Sequence, residues 1–526
     1  VLILLLFFFN SCQNSKNRKN LLNKGGTLNV KIFSPVETLD PNKILYLSDV
    51  LASRLIYDGL VGDSKDNAGV AEKWEISKDG LRYVFHLKKG ILFHSDPCFK
   101  SDKERELTAS DVLFTFKRIA DRKNPSVNFS LFADKIKGIR DFQQGLTDSI
   151  SGIKIRNKFS IEFILNKPYV VFLKLLASPS AFILSETAVN YYGNEIAEHP
   201  IGTGPFKLSS WNPTEEVYFI RNKNYRRKNK NGKSLPFLEA VSFKFFSNEK
   251  EKIGDLFKGK CDYISLDRDE YNSLKNELDT TKFKIIKTQN ALEIRFFGFS
   301  FEKNTPLAKN PELRKALAYS LNRQKLYVSS EFKYFPQNTL APASLLGDST
   351  LRWYQFNPVK SKALAGNFSN DNNIYELSSS VNAPFLNIIE SGMKSLNLKV
   401  ARNVNPKRYY ERIIKNRPDI FRISMSPSFP DLSEYYQLFY SKSGKYVNLF
   451  NYQNPEFDKI FEKSQVENNP AERRRLFRRL EKILRDDVAA IYVSEKKYFF
   501  NIVRKRVKDF TINNGFPDFA LIRLDK

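Results

Sequence analysis

The sequence predicts a mixed α/β or α+β chain of two or three domains, and three observations carry that expectation. Its 526 residues exceed what one hydrophobic core covers. Several short segments alternate apolar and polar residues, the two-residue period of half-buried strands. Amphipathic, capped segments lie between them, so strands and helices intermingle along the whole length. Hydrophobic residues make up 41% of the chain, enough for sizeable cores. A mean hydropathy of −0.43 keeps the bulk of it water-soluble. No solenoid repeat and no long linker interrupts it after about Gly26.

The first strand signal is Thr27–Phe33, where Leu28, Val30 and Ile32 alternate with polar residues. Leu81, Tyr83, Phe85 and Leu87 repeat that pattern. Gly152–Leu165 reads as a β-hairpin turning at Asn157-Lys158. A capping box, Thr108 to Asp111, opens a helix with Val112, Leu113, Phe116 and Ile119 on one face. Asn310-Pro311 opens a second helix, with Leu313, Ala316, Leu317, Ser320 and Leu321 inward. A third runs from about Ala471 to Asp486, burying Leu476, Leu480, Ile483 and Leu484 and carrying five arginines between Arg473 and Arg479. Trp74 and Trp211 are expected to anchor cores.

Val1–Phe9 is an unbroken apolar run. It falls short of the ~20 residues a membrane-spanning helix needs and fits the apolar region of a secretory signal. The run stops at Asn10-Ser11-Cys12, which resembles a bacterial lipoprotein signal: a small residue precedes a cysteine that becomes the acylated N-terminus. Residues 1–11 are then a signal peptide, and 12–25 a lipidated, flexible, basic tether. The competing reading is an ordinary signal with a chance Cys12. Cys98 and Cys261 match no metal spacing; an extracytoplasmic compartment permits a disulfide, but two isolated thiols are the favoured expectation.

The formal net charge of +27 reads first as a solvated lysine surface and second as attraction to anionic lipid or an acidic solute. No compact basic block with interleaved aromatics points to nucleic acid. Gly202-Thr203-Gly204-Pro205 reads as a structural turn, since it lacks the third glycine of a dinucleotide fingerprint and the ending of a P-loop. Asn231-Gly232-Lys233-Ser234 has that ending, but Arg227 occupies the place of the first P-loop glycine. The chain has three histidines, His86, His94 and His199, and none lies in a metal-binding motif. No Gly-x-Ser-x-Gly elbow occurs, and Asp486-Asp487 ends an amphipathic helix. The expectation is therefore a protein that is not an enzyme and holds no metal or cofactor.

The order of several blocks resembles a family 5 extracellular solute-binding protein, the group that includes peptide-, dipeptide- and nickel-binding lipoproteins. Thr38-Leu39-Asp40-Pro41 and Ile56-Tyr57-Asp58-Gly59-Leu60-Val61 resemble its opening. Ala71 to Leu81, Tyr83 to Gly90, Phe93-His94 and Leu107 to Val112 resemble its most specific signature. Pro200 to Phe206, Trp211, Arg221-Asn222 and Tyr225 follow, then Gly259 to Tyr263, the helix Asn310 to Arg323 and Asn454-Pro455-Glu456-Phe457-Asp458. Any one block is weak. The likeness rests on all of them in order, from about Gly26 to Val493.

The resemblance implies a bilobal periplasmic-binding-protein-like α/β fold (class C, type II) with an extra inserted domain. Lobe I would take 26–63, 196–292 and 496–526, the inserted domain 64–195, and lobe II 293–495. The lobes would close on the solute by a hinge motion and dock on an ABC importer's permease and ATPase complex. The protein is then expected to be a monomer on the periplasmic side or the cell surface, tethered to a membrane through Cys12 and delivering a peptide-like solute. Two alternatives stay open: the same fold with a nickel complex, haem or an anionic metabolite, and a surface lipoprotein acting as adhesin or chaperone.

Peptide-binding members hold the ligand as an added β-strand. The matching segment here includes Pro35, Val36 and Glu37, with a connecting loop as the competing reading. Phe132 matches an aromatic wall position, against core packing. In the family a Trp precedes an Asp that pairs with the peptide's amino terminus, and an acidic-Pro pair follows. Aligned on Asp431-Leu432, Met425 takes the Trp position and Ser428 the Asp position. The charged amine anchor is thus missing; either Asp431 substitutes by a small shift or the solute has no free amine. Arg402, Arg408, Arg412 and Arg422 either greet an acidic group or line a solvated face.

Overall fold

The computed structural model describes residues 26–526, apart from 33, 63–68, 247, 267, 326–334, 337, 349, 367–372, 381–383, 514 and 526. The expected leader, Cys12 and the tether lie outside the described residues.

The first half is built on β1 (Thr27–Ile32), in which Leu28, Val30 and Ile32 are all buried. A separate antiparallel sheet follows in the order β2-β3-β5-β4, from β2 (Ala71–Ile76), β3 (Arg82–Leu87), β4 (Ile153–Asn157) and β5 (Ser160–Ile164). β4 and β5 are the hairpin expected around Asn157-Lys158. Helix Ala109–Ile119 packs on this sheet through Val112, Phe116 and Ile119. Its first turn is closed as the sequence indicates: the Thr108 N–H donates to Asp111 Oδ2 at 2.9 Å. Every residue of the core beneath lies between Leu60 and Ile201.

The large sheet uses β6 (Phe206–Asn212), β7 (Glu216–Arg221), β8 (Ala240–Phe245), β9 (Tyr263–Leu266), β10 (Phe283–Phe299), β11 (Phe335–Pro336), β12 (Ile374–Ser379), β13 (Lys399–Val404), β14 (Ile420–Met425) and β15 (Ala490–Arg504). Its order is β13-β12-β14-β10-β15-β9-β1-β8-β7-β6, with β11 beside β15. Two strands serve both halves. β10 and β15 pair antiparallel from Phe283↔Arg504 to Gly298↔Ala490. At one end β15 pairs with β9 of the first half; at the other β10 pairs with β14 of the second. The ladder slips between Gln289 and Glu293, where Leu292 has φ 52°. A bulge there loosens the ladder where the chain crosses between lobes, a place suited to bending.

The second half packs apolar side chains on both faces of its sheet. Helix Pro470–Asp486 contributes Leu476, Phe477, Leu480 and Leu484 to one face, with Phe457 and Phe461 of helix Pro455–Val466. Helix Pro311–Ser320 contributes Leu313, Ala316 and Leu317 to the other, with Ile389 and Met393 of helix Pro384–Ser395. The Asn310 side chain accepts the Glu312 N–H at 2.8 Å, and Pro311 fills the first helical position. The architecture is bilobal α/β with a second, smaller sheet inserted in the first half.

Three expectations need comment. Trp74 is not a core anchor: it is 36% exposed, because β2 is an edge strand whose residues after Ala71 face outward. Trp211 is half-buried against the core of the first half. Gly202 and Gly204 are required by proximity, not by positive φ: a Cβ on Gly202 would lie 2.0 Å from the Ile56 carbonyl oxygen. His94 clamps this turn, with Nε2 3.1 Å from the Gly204 carbonyl and Nδ1 3.4 Å from the Gly202 N–H. Burial lowers its pKa to about 4, so the ring stays neutral and serves the turn. Cys98 and Cys261 are both free and buried, in different cores.

Candidate functional site: the gap between the lobes

One wall comes from the segment after β1. Val36 is buried in the core of the first half, and Pro35 and Glu37 on either side of it are exposed. Helix Leu47–Ile56 holds this segment in place. The Ser48 hydroxyl donates to the Pro35 carbonyl at 2.8 Å, and Asp49 Oδ1 accepts the Glu37 N–H at 2.8 Å. Burial raises the Asp49 carboxyl to about 7, against the backbone N–H groups that lower it. The Val36 N–H and C=O have no partner among the described residues. An extended segment with an unbonded donor and acceptor is an open place for one more strand.

In the second half, β14 and what packs on it carry the other candidates. Ser424 Oγ donates to Glu293 Oε1 at 3.1 Å, and Arg295 Nε reaches the same oxygen at 3.0 Å. Arg422 lies two residues back along the strand and is buried. Its guanidinium makes a long contact to Ser380 Oγ at 3.4 Å and lies over the Phe385 ring, while its Nε has no partner among the described residues. Burial and the nearby Arg295 charge push its pKa below the ordinary guanidinium value. Arg295 thus pairs with Glu293, while Arg422 has no ion pair among the described residues.

The loop Ser426–Leu432 follows β14. Met425 is half-buried against the second lobe's core. The Ser428 N–H donates to Glu434 Oε2 at 3.0 Å. Asp431 is committed elsewhere: Arg473 grips it with two bonds of 2.7 and 2.9 Å, and the Ser433 N–H and hydroxyl donate to Oδ1. Burial alone would raise its pKa, but these bonds hold it below the ordinary carboxylate value. Glu434 carries no cation among the described residues, and burial raises it to about 7. Nothing in the sequence marked Glu434, because its burial comes from contacts distant in the chain.

Among the described residues the first half and its inserted unit each meet the second lobe. Tyr46 of the first donates to Glu411 Oε2 at 2.8 Å, and its ring lies 5.5 Å from that of Tyr410. The inserted unit meets the second lobe where the Val170 N–H donates to the Gln465 carbonyl at 3.2 Å and Lys174 Nζ stands 3.7 Å from Asp431. Lys135 of the same unit feels the Glu434 charge and has its pKa lowered by burial to about 8. Short helix Phe129–Phe132 packs on the turn Ser441–Ser443. Phe132 anchors that helix from the core side, with its ring edge-on to Phe116 at 5.2 Å. The halves are thus closed upon each other.

Of the other arginines, Arg402 pairs with Glu390 at 2.6 Å, Arg408 is exposed, and Arg412 bonds the Asn405 carbonyl. Among the described residues no group of three His, Cys, Asp or Glu side chains could hold a metal. No described helix is long and apolar enough to cross a membrane.

A bilobal α/β architecture with two strands shared between the halves is that of a solute-binding protein. Residues 67–447 match the family described as bacterial extracellular solute-binding proteins, family 5 Middle, and the chain belongs to that family. The dipeptide-binding protein of Escherichia coli (strain K12) is 27% identical over 350 residues, which are 64% of this chain and 60% of that relative. The chain thus spans less than two thirds of that relative's length. Di/tripeptide-binding protein 2 of Pseudomonas aeruginosa (strain UCBPP-PA14) is 24% identical over 95% of both chains. Among solved structures, the ABC transporter-associated periplasmic binding protein DppA from Helicobacter pylori, in complex with peptide STSA, superposes with a TM-score of 0.82. That match has 21% identity and covers 97% of this chain and all of the other.

Proposed function

We propose that the chain binds a short peptide in extended form between its lobes and delivers it, chemically unchanged, to an ABC importer. The carrying observation is Val36: its unbonded N–H and C=O at the lobe boundary suit strand addition, which recognises main chain and tolerates varied side chains. Pro35, Val36 and Glu37 would form one wall, and Met425 and Ser428 the other. Phe132 would support the inserted unit where it meets the second lobe. The peptide's carboxylate would pair with Arg422, which has no ion pair among the described residues. With Asp431 held by Arg473, Glu434 is the carboxylate left to meet a peptide amine. The peptide-binding relatives support the same reading.

The leader and Cys12 support an extracytoplasmic lipoprotein, anchored by acylation of Cys12 and working as a monomer. A second reading, an anionic metabolite without an amine, is favoured by the engagement of Asp431 and by Ser428 at the expected anchor position. Native mass spectrometry of co-purified ligand, followed by thermal shift with a short-peptide library, tests the proposal. Free-carboxylate peptides should raise the melting temperature. A flat response to the library, with a non-peptide acid co-purifying, would replace the first reading with the second.

A further inference from the structure

A groove of about 600 Å³ opens on the first lobe, at the end of β10 and β15 remote from the second lobe. Its apolar lining is Ile285, half-buried, over Phe283 and Val507, which are almost fully buried, and Lys284, Lys505, Lys508 and Arg523 are its cations. Asp509 is the one carboxylate of its lining. Arg523 is paired with Asp509 at 2.5 Å and Lys508 with Asp525 at 3.1 Å. Lys284 and Lys505 are exposed and have no ion pair among the described residues. The groove therefore joins apolar surface to uncompensated positive charge, complementary to an anionic head with an apolar tail.

Its place in the fold says which amphiphile. Val507 and Lys508 pair with Leu524 and Arg523. A Cβ on Gly26 would lie 2.8 Å from Leu524 Cδ1, so the chain enters the described fold against the strand that borders this groove. The twenty-five residues before Gly26 hold the apolar run Val1–Phe9, Cys12 and a basic stretch. A membrane reached by that segment would face this side of the first lobe.

We propose that the groove seats an anionic glycerophospholipid of that membrane, the start of its acyl chain against Ile285 and the lysine stems and its phosphate between Lys284 and Lys505. The proposal rests on the membrane-anchored reading and adds a second contact that orients the lobe on the surface and leaves the solute gap facing away.

The test is co-sedimentation of the full chain with vesicles, every variant carrying Cys12→Ser so that no acyl chain contributes. Phosphatidylglycerol vesicles should bind it more tightly than phosphatidylcholine vesicles, and 0.5 M salt should weaken the difference. Lys284→Gln with Lys505→Gln should cut phosphatidylglycerol binding by about 25-fold, near five-fold for each lysine, and leave phosphatidylcholine binding and the melting temperature unchanged. Inorganic phosphate at 10 mM should not compete, because it lacks the apolar tail. Equal affinity of wild type and double variant for phosphatidylglycerol vesicles would overturn the proposal, as would full competition by inorganic phosphate. Mass spectrometry of Cys12 in natively expressed protein tests the anchor separately, and its outcome leaves the vesicle comparison unaffected.

Discussion

The Tyr46 hydroxyl donates a 2.8 Å hydrogen bond to Glu411 Oε2, tying the first lobe to the second across 365 positions of sequence. The proposed function has the lobes open and close; opening would break this bond, so its strength would enter that equilibrium directly. A bond to a charged acceptor contributes about 1.5–3 kcal/mol, and partial exposure brings this pair to the lower end. Tyr46→Phe should shift the equilibrium toward the open form by about ten-fold. Small-angle scattering would show a larger mean radius, and ligand would dissociate faster by a similar factor. An unchanged radius and dissociation rate would remove this contact as a latch.

Arg422 separates binding from stability. As a buried guanidinium without a carboxylate partner it should cost stability in the empty protein. Arg422→Met keeps most of the volume and removes the charge, so the melting temperature should hold or rise. Affinity for peptides with a free carboxylate should fall by about 10- to 100-fold. C-terminally amidated peptides, weaker on the wild type, should bind both proteins alike in calorimetry.

Asp431 should behave in the opposite way. Its bidentate pair with Arg473 is almost fully buried. Asp431→Asn leaves that guanidinium uncompensated and should cost about 3 kcal/mol in urea unfolding. Because the folded pKa is depressed, the stabilisation is present above the unfolded value and is lost as pH falls through the folded one. The wild type should therefore lose this contribution in acid, and Asp431→Asn should show a flatter acid limb.

Glu434 has the reverse sign. Its folded pKa of about 7 lies above the ordinary 4.5. Between those values the folded chain keeps a proton that the unfolded chain has released, so stability declines as pH rises through the window. Asp431, Ser428 and Gln437 surround the carboxyl on its own lobe, and Lys135 faces it from the inserted unit. Glu434→Gln should flatten unfolding free energy between pH 5 and 7 and raise it at pH 8. A slope equal to the wild type's would show that this carboxyl ionises freely in the folded protein.

The two thiols should be inert. Burial raises both Cys98 and Cys261 to about 12, so little thiolate exists at neutral pH. A disulfide-exchange reagent should label neither in native protein and both in denaturant.

Much of the fold was legible because its signals are local. Two-residue alternation in Thr27–Ile32 and Arg82–Leu87, the Thr108–Asp111 box and the Asn310-Pro311 start each act within a few residues, and the structure contains all of them. Trp74 was misread because a bulky apolar residue in a strand does not say which strand will lie at an edge. The site was less legible for the same reason. Val36 could be placed by resemblance, but its unbonded backbone groups, the Arg473 grip on Asp431 and the burial of Glu434 all depend on partners far along the chain.

By itself, then, the sequence determined the class of fold, the family and the few strands and helices with the strongest local signals, since propensity, capping and period are properties of neighbouring residues. Only the tertiary structure decided which carboxylate is spoken for, which buried guanidinium has no ion pair among the described residues and where the two halves meet. Charge compensation and burial are set by what the folded chain brings within a few ångströms, and no local pattern encodes that distance.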